Sequence, residues 1–557
     1  MVVPRVRATP RTRGTTMGRH RRPRTMTSMS ETDRLRARLL GHRPTDTLYG
    51  WVGAVLVAVF GGVLRFWRLG RPETLVFDET YYVKQAWSLL TQGYEAKVLP
   101  KYASGATPKV DDVWASGTPD VFGTQADYVV HPPVGKWVIA VGEQLLGVQN
   151  PVSWRFGVAV LGTLSILMLA LAARRMFGST VLGLSAGLLL AVDGQHLVHS
   201  RTGLLDMSVM FFALGGFCAL LLDRDRSREI LARRVGGHLD AGGSLDAPMM
   251  RYGPWLGLHP WRFVAALSLG LCIGTKWSGL YFLAAFGLMT VFWDMGARRA
   301  AGVRRWWWGA MLFDAPQAAL TMVGTALITY LGTWAGWFAT SGGWNRQWAT
   351  NHPATGLATL VPDPLRSLWR YHADMMSFHV KLSTPHDYQS NPWSWMLQSR
   401  PTSFYYLGPK LGDQGCAVAE CSKAILDLGN PVIWWTATLA LPVLLFMWAL
   451  ARDWRAGAIL AGFVGGYLPW FQYQERTIFT FYSVAFVPWV VLAVVYLLSL
   501  VLGSAEAPPA RRRAGIVVWA AFMVLAIGMF AFFWPIYVAD VIPRVDWGHR
   551  MWFRSWI

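Results

Sequence analysis

Apolar residues in this chain come in long runs. They show neither the alternation of a half-buried strand nor the narrow stripe of a surface helix. Eleven runs, centred near residues 57, 163, 187, 212, 268, 286, 322, 441, 465, 490 and 526, predict eleven helices in a membrane. About 18 or more apolar residues cross about 30 Å of hydrocarbon at about 1.5 Å per residue. The connections carrying Arg174-Arg175, Arg224 to Arg234, Arg298 to Arg305, Arg452 to Arg455 and Arg511 to Arg513 are basic. Basic connections stay on the cytoplasmic side, and eleven spans with an N-terminus inside put every one of them there. Arg65 and Arg68 oppose that reading locally, but twelve arginines precede the first span and outweigh them. The same count leaves residues 69–150, residues 336–430 and the tail 539–557 outside. Two amphipathic helices, 78–91 and 134–147, are predicted within the first long outer loop. Residues 1–46 are rich in Arg, Pro and Thr with hardly an aromatic side chain, and are predicted to be a disordered cytoplasmic tail. A signal peptide is not expected, since the first apolar run starts near Leu48 and no small-residue cleavage site follows it.

Composition supports this all-α, polytopic membrane reading. Of 557 residues, 53% are hydrophobic and 15% charged, whereas a soluble domain carries about 25% charge. A net charge of +20 would suggest nucleic acid in a soluble chain. Here the arginines lie between spans, where they set topology and meet anionic membrane lipids, so nucleic acid is not an expected partner. The four cysteines include no CxxC pair, which argues against a zinc ribbon. Cys218 and Cys272 sit in apolar runs as packing residues, while Cys416 and Cys421 share a polar loop and form a disulfide if that loop is outside. No Walker loop, no GxGxxG after a strand and no HExxH is present. An activated lipid is therefore a better energy source than a nucleotide.

Acidic residues are scarce enough to inspect singly. In LVFDETYYVKQAW, Asp78 stands at a helix N-cap position and Glu79 in the first turn. Both could be no more than helix-end residues, yet a carboxylate at the lipid–water boundary also suits a reaction between a lipid and a polar hydroxyl. The segment YVVHPPVGKW brings His131 and Lys136 to either side of a Pro-Pro turn, although such a lysine is commonly a snorkelling residue. The turn AVDGQHLVHSRTGLLD gathers Asp193, His196, His199, Arg201 and Asp206. Arg201 could pair with Asp206 or offer its fork of donors to a phosphate. Lys276 in GTKWSG and Glu475-Arg476 in YQERTIF are weaker candidates. The aromatic NPWSWML and RPTSFYYLG suit sugar or lipid stacking as well as plain interfacial anchoring.

These segments, in order RFWRLGRPETLVFDETYYVKQAW, HPPVGKW, HSRTGLLD, GTKWSG, NPWSWML and FYSVAFVPW, resemble the bacterial, actinobacterial-type protein O-mannosyltransferases of glycosyltransferase family 39, in the GT-C superfamily. The resemblance runs from about residue 50 to about residue 535. It implies a GT-C transmembrane catalytic domain over 47–538 with about eleven spans, two long extracytoplasmic loops (69–150, with the catalytic motif, and 336–430) and a place in the plasma membrane. It also implies transfer of mannose, with inversion, from polyprenyl-phosphate-mannose to Ser or Thr hydroxyls of secreted proteins, with the export translocon as a further partner. By motif, Asp78 would be the catalytic base and Glu79 its acidic neighbour. Arg201, Lys136, His131 and His199 are candidates for the donor's phosphate or sugar, supported by Asp206, Lys276 and Arg476. No cofactor and no metal are expected, because a lipid phosphate leaves readily. The 336–430 loop is too short for the β-trefoil MIR domain of eukaryotic relatives. Two alternatives stay open: a GT-C transferase with a lipid or cell-wall glycan acceptor, and a transporter or scaffold without an external catalytic acid.

Overall fold

The structure, a computed structural model, describes residues 29–102, 107–504 and 506–557. Helices dominate it. Among the described residues, eight are long and apolar enough to cross a bilayer: α2 (Thr47–Phe66), α5 (Ser153–Phe177), α7 (Asp206–Asp240), α9 (Gly279–Ala300), α10 (Trp306–Gly332), α12 (Pro431–Ala449), α14 (Thr480–Leu502) and α15 (Pro509–Tyr537). The other three expected centres also fall on helices, namely α6 (Thr180–Ala191), α8 (Pro260–Ile273) and α13 (Trp454–Gly466). At 12, 14 and 13 residues these fall short of a full crossing.

All three short helices stop at the same end of the bundle. Chain continues there as the short helix Gly194–His199 after α6, as the turn holding Lys276 after α8, and as the 3₁₀ turn Leu468–Tyr473 after α13. Irregular backbone near membrane depth survives only where protein or a cavity satisfies its polar groups. The breaks therefore mark the polar end of the bundle.

On that end lie α3 (Glu79–Gln92) and α4 (Val134–Leu146), at the two places expected for amphipathic helices. Helix α4 crosses α5 closely, since a Cβ on Gly142 would lie 2.0 Å from the Ser153 carbonyl oxygen. The 336–430 segment carries a further amphipathic helix, α11 (Asp363–Lys381), with Leu368, Tyr371 and Met375 buried.

Five short strands add to the helices. β1 (Ala96–Val98) pairs with β2 (Phe122–Ala126) in the first long loop. In the second, β3 (Thr402–Leu407) and β4 (Cys421–Asp427) form an antiparallel pair. β5 (Val541–Pro543), from the segment after α15, joins β4 with Cys421 opposite Pro543. Cys416 and Cys421 are bonded, with their Cα atoms 5.9 Å apart. The segment 539–557 thus docks on the second loop, and Trp556 is buried and donates its indole N–H to the Gln398 carbonyl at 2.9 Å.

Two expectations change. The expected disordered tail reaches residue 46, but α1 (Glu31–Leu40) is a helix. Leu35 and Leu39 pack on Leu231, Ala232 and Val235 of α7, Arg36 pairs with Glu229 at 2.7 Å, and the Asp240 carboxylate accepts from the Glu31 and Thr32 N–H groups. Its two buried leucines lie four residues apart on one face, so a short amphipathic signal was hidden in an Arg-rich composition. Residues 1–28 of that expectation lie outside the described residues. The basic Arg224–Arg234 stretch is likewise part of α7, which runs well beyond a membrane span.

Candidate active site

The N-terminal turn of α3 is held from three directions. Glu79 is fully buried, and each of its oxygens accepts from Arg155, at 2.8 Å from Nε and 2.8 Å from Nη2. Oε2 also accepts from the Val76 N–H at 2.9 Å and Oε1 from the Gly203 N–H at 2.7 Å. Arg155 in turn donates to the carbonyls of Leu69, Pro72 and Thr74. A buried carboxylate persists only when so completely paired. Glu79 was a candidate catalytic partner of Asp78, but its bonds go to the chain and fasten residues 69–79 to α5 and to the turn before α7.

Asp78, one residue earlier, is different. It occupies the N-cap position but makes no side-chain capping bond. Phe77 before it has φ of 48°, a left-handed conformation that a bulky residue rarely adopts. Its ring is stacked on Phe404 of β3 at 4.5 Å and meets Phe481 edge-on at 5.3 Å. β3 of the second long loop and the start of α14 thus grip Phe77, and the strained turn aims the next residue. Burial pushes the Asp78 carboxyl up to about 6, with Lys276 opposing the shift and Asp206 adding to it.

Lys276 and Asp206 belong to a cavity of about 270 Å³. His131, Asp206, Lys276, His379, Arg476 and Tyr482 are among its polar lining. The Lys276 ammonium sits 2.9 and 2.8 Å from the two Asp206 oxygens. Arg476 has no carboxylate within ion-pair reach among the described residues; its Nη2 donates to His379 Nδ1 at 3.4 Å, and its Nε is buried without a partner. His379 Nε2 donates to the Val130 carbonyl at 2.7 Å. Burial lowers both His131 and His379, the latter to about 4, and nearby cations including Lys276 and Arg476 lower them further. Both rings are neutral at neutral pH. They stack at 5.2 Å and form a wall rather than a second pair of cations.

Trp277, Leu280 and Met376 line this cavity and also a second one of about 580 Å³. The second is walled almost wholly by apolar side chains of α8, α9, α10 and α11, among them Val323, Leu327 and Trp369. The chamber that holds these charged groups thus shares a wall with an apolar groove.

Three expected phosphate or sugar ligands are engaged elsewhere. Lys136 is fully buried, paired with Glu95, and donates to the His131 carbonyl at 2.9 Å. Arg201 donates to the carbonyls of Leu64, Arg65, Trp67 and Arg68, so its guanidinium caps the C-terminal end of α2, where unpaired carbonyls and the helix dipole attract a cation. His199 is buried beside Phe404 and Phe481, with Nε2 3.4 Å from Asp427 Oδ1. The alternative Arg201–Asp206 pair is also absent among the described residues, as Asp206 holds Lys276. Of the sequence candidates, His131, Asp206, Lys276 and Arg476 line the cavity, with Asp78 in electrostatic reach. His379, Tyr482 and the Glu79 partner Arg155 went unnoticed. Arg155, a lone charge opening an apolar run, was a visible signal. Among the described residues no three His, Cys, Asp or Glu side chains cluster as a metal would require.

Residues 55–234 match the family described as dolichyl-phosphate-mannose-protein mannosyltransferase, and residues 364–556 the C-terminal four-TMM region of protein-O-mannosyltransferase. The chain is 35% identical over 521 residues to the polyprenol-phosphate-mannose–protein mannosyltransferase of Mycolicibacterium smegmatis (strain MKD8), covering 92% of this chain and 94% of that one. The chain belongs to the protein O-mannosyltransferase family. A second relative, the polyprenol-phosphate-mannose–protein mannosyltransferase of Mycobacterium tuberculosis, is 34% identical over 528 residues, 92% of this chain and 93% of its own. The fold is that of the protein O-mannosyltransferases as well. A solved chain of the Saccharomyces cerevisiae Pmt1–Pmt2 complex bound to the sugar donor superposes with a TM-score of 0.68 at 15% identity, over 94% of each chain.

Proposed function

We propose that this protein O-mannosyltransferase moves mannose from polyprenyl-phosphate-mannose to Ser or Thr hydroxyls of polypeptides on the extracytoplasmic face of the plasma membrane. One observation carries the reading. A carboxylate without a capping bond stands beside a chamber that holds an arginine without an acidic partner among the described residues, and the chamber shares a wall with an apolar groove. A lipid-linked sugar phosphate needs all three. The names of the relatives support the mannosyl donor and protein acceptors, and the Arg-rich connections at the other end of the bundle support the orientation.

In this reading Arg476 and Lys276 hold the donor phosphate and the apolar groove takes the polyprenyl chain. Asp78 accepts the proton of the incoming hydroxyl as its oxygen bonds to the anomeric carbon. The bond from that carbon to the phosphate oxygen breaks, and the leaving phosphate keeps the electron pair, stabilised by the two cations. Attack from the face opposite the phosphate inverts the sugar. Glu79 and Arg155 are positioning residues that keep Asp78 in place, and Lys136 does the same for His131.

The test is to incubate the purified protein in lipid with labelled polyprenyl-phosphate-mannose and a Ser/Thr-rich peptide. Label in the peptide, at its hydroxyl residues, is expected. Label appearing instead in lipid or glycan would overturn the polypeptide acceptor, and no consumption of donor would overturn the enzyme.

A further inference from the structure

A second polar cavity lies at the opposite end of the bundle. The Asp78 chamber touches Asp206 at the start of α7, and this cavity touches Arg224, 18 residues along the same helix, so about 27 Å separates them at about 1.5 Å per residue. Its volume is about 540 Å³. Arg43 from the α1–α2 connection, Arg174 and Arg175 from the end of α5, Arg224 of α7 and Arg455 at the start of α13 all line it. Facing these five guanidiniums are three carboxylates. Asp225 is shared by Arg43, Arg175 and Arg224 at 3.2, 2.7 and 3.1 Å. Asp46 takes Arg174 at 2.8 Å, and Asp453 takes Arg455 at 2.6 Å. Positive charge therefore remains in excess inside a concave site.

Arg224 shows that the excess is built in. The residue is only 6% exposed. Its guanidinium lies 3.4 Å over the Trp454 ring. Among the described residues only Nη1 donates to protein, to Asp225, while Nε is buried with no partner at all. Leaving a buried charged donor unpaired costs several kcal/mol unless a ligand satisfies it. Trp51, Leu171 and Leu221, each within a spanning helix, complete the wall. The cavity thus straddles the boundary where headgroups sit, with arginine on one side and apolar residues of spanning helices on the other, of which Trp51 is exposed on the outside of the bundle.

We propose that this cavity binds the phosphate group of an anionic phospholipid. A phosphate diester spreads one negative charge over two free oxygens, which the planar guanidinium forks of several arginines can share, and its acyl chains would descend past Trp51 and Leu171. A soluble phosphate carries the same anion without the chains. The site makes no contact with the Asp78 chamber, and its role stands or falls independently of the mannosyl reaction.

The experiment uses the full chain in detergent, with bound lipid followed by native mass spectrometry during titration with phosphatidylglycerol, phosphatidylcholine or glycerol 1-phosphate. Phosphatidylglycerol is expected to bind in preference to phosphatidylcholine, and glycerol 1-phosphate is expected not to displace it at equal concentration. Replacing Arg43 and Arg175 together by Gln removes two part-exposed cations while leaving Asp225 with Arg224; affinity for phosphatidylglycerol should fall about thirtyfold. Equal binding of the two lipids would overturn the proposal, as would an unchanged affinity in the double variant. Glycerol 1-phosphate binding as tightly as phosphatidylglycerol would reassign the site to a soluble phosphate and overturn the lipid. If the double variant fails to fold, the comparison of the three ligands on the unmodified chain still decides.

Discussion

Asp78 and Glu79 are neighbours with opposite fates, and the difference lies in what each carboxylate accepts. Glu79 accepts four hydrogen bonds from three residues and Asp78 has no capping bond. Replacing Asp78 by Asn keeps the shape and removes the proton acceptor, so mannosyl transfer should fall by about 10² to 10⁴-fold, measured with labelled donor and peptide. In the unmodified protein kcat/KM should lose about tenfold per pH unit below about 6, where the Asp78 carboxyl takes up its proton. The stability effect has the opposite sense. A carboxyl raised by burial favours the fold while protonated, and that contribution is lost as pH rises through about 6. The Asn variant should then unfold later than the parent at neutral pH, by at most about 3 kcal/mol, and match it in acid. Arg476 and Arg201 form a second contrast. Arg476→Ala should raise the donor KM about tenfold or more with little change in thermal midpoint, because one charged hydrogen bond is worth about 1.5–3 kcal/mol. Arg201→Ala should lower the midpoint, since four carbonyls at the end of α2 lose their donor. A fork of donors in the sequence points equally to phosphate and to a helix end. The carbonyls that claim Arg201 lie more than 130 residues away in the chain, and no local pattern announces them.

At the scale of the element, helix length carries the information that hydropathy blurs. All eleven apolar centres were legible because a spanning helix needs only a long apolar run. The early stops of α6, α8 and α13 were not, since Lys276 and Arg476 look like any polar residue at a span's edge. Helix α3 was legible from FDE followed by an amphipathic run, whereas the sheet of β3, β4 and β5 was hidden because its strands are short and β5 lies more than 100 residues beyond β4. The Glu79–Arg155 pair joins α3 to α5. Glu79→Gln leaves Arg155 as a buried charge with weakened compensation and should destabilise the protein by about 3–5 kcal/mol. Thermal unfolding in detergent is the measurement. Activity should fall with the folded fraction, and the acid limb near 6 should stay in place for the molecules that remain folded.

For the whole molecule, the arrangement is two polar ends separated by about the thickness of a membrane, with chemistry proposed at one and a lipid headgroup at the other. Reporter fusions placed after Asp120 and after Arg234 should report from opposite compartments; agreement between them would refute the eleven-span topology. The basic connections alone carry that expectation, because charge bias acts through sequence position. The grip on Phe77 required chain from the first long loop, from β3 and from the start of α14 to meet, which no single segment encodes. β5 extends that dependence to time. Its residues emerge from the ribosome after every span, yet they supply the last strand beside β4 and lead to the chain that buries Trp556 against Gln398. The framework behind Phe404 is therefore completed only after synthesis of the spans is over. A chain still threading into the membrane would therefore hold Phe77, and with it the turn that aims Asp78, less firmly than the finished protein does.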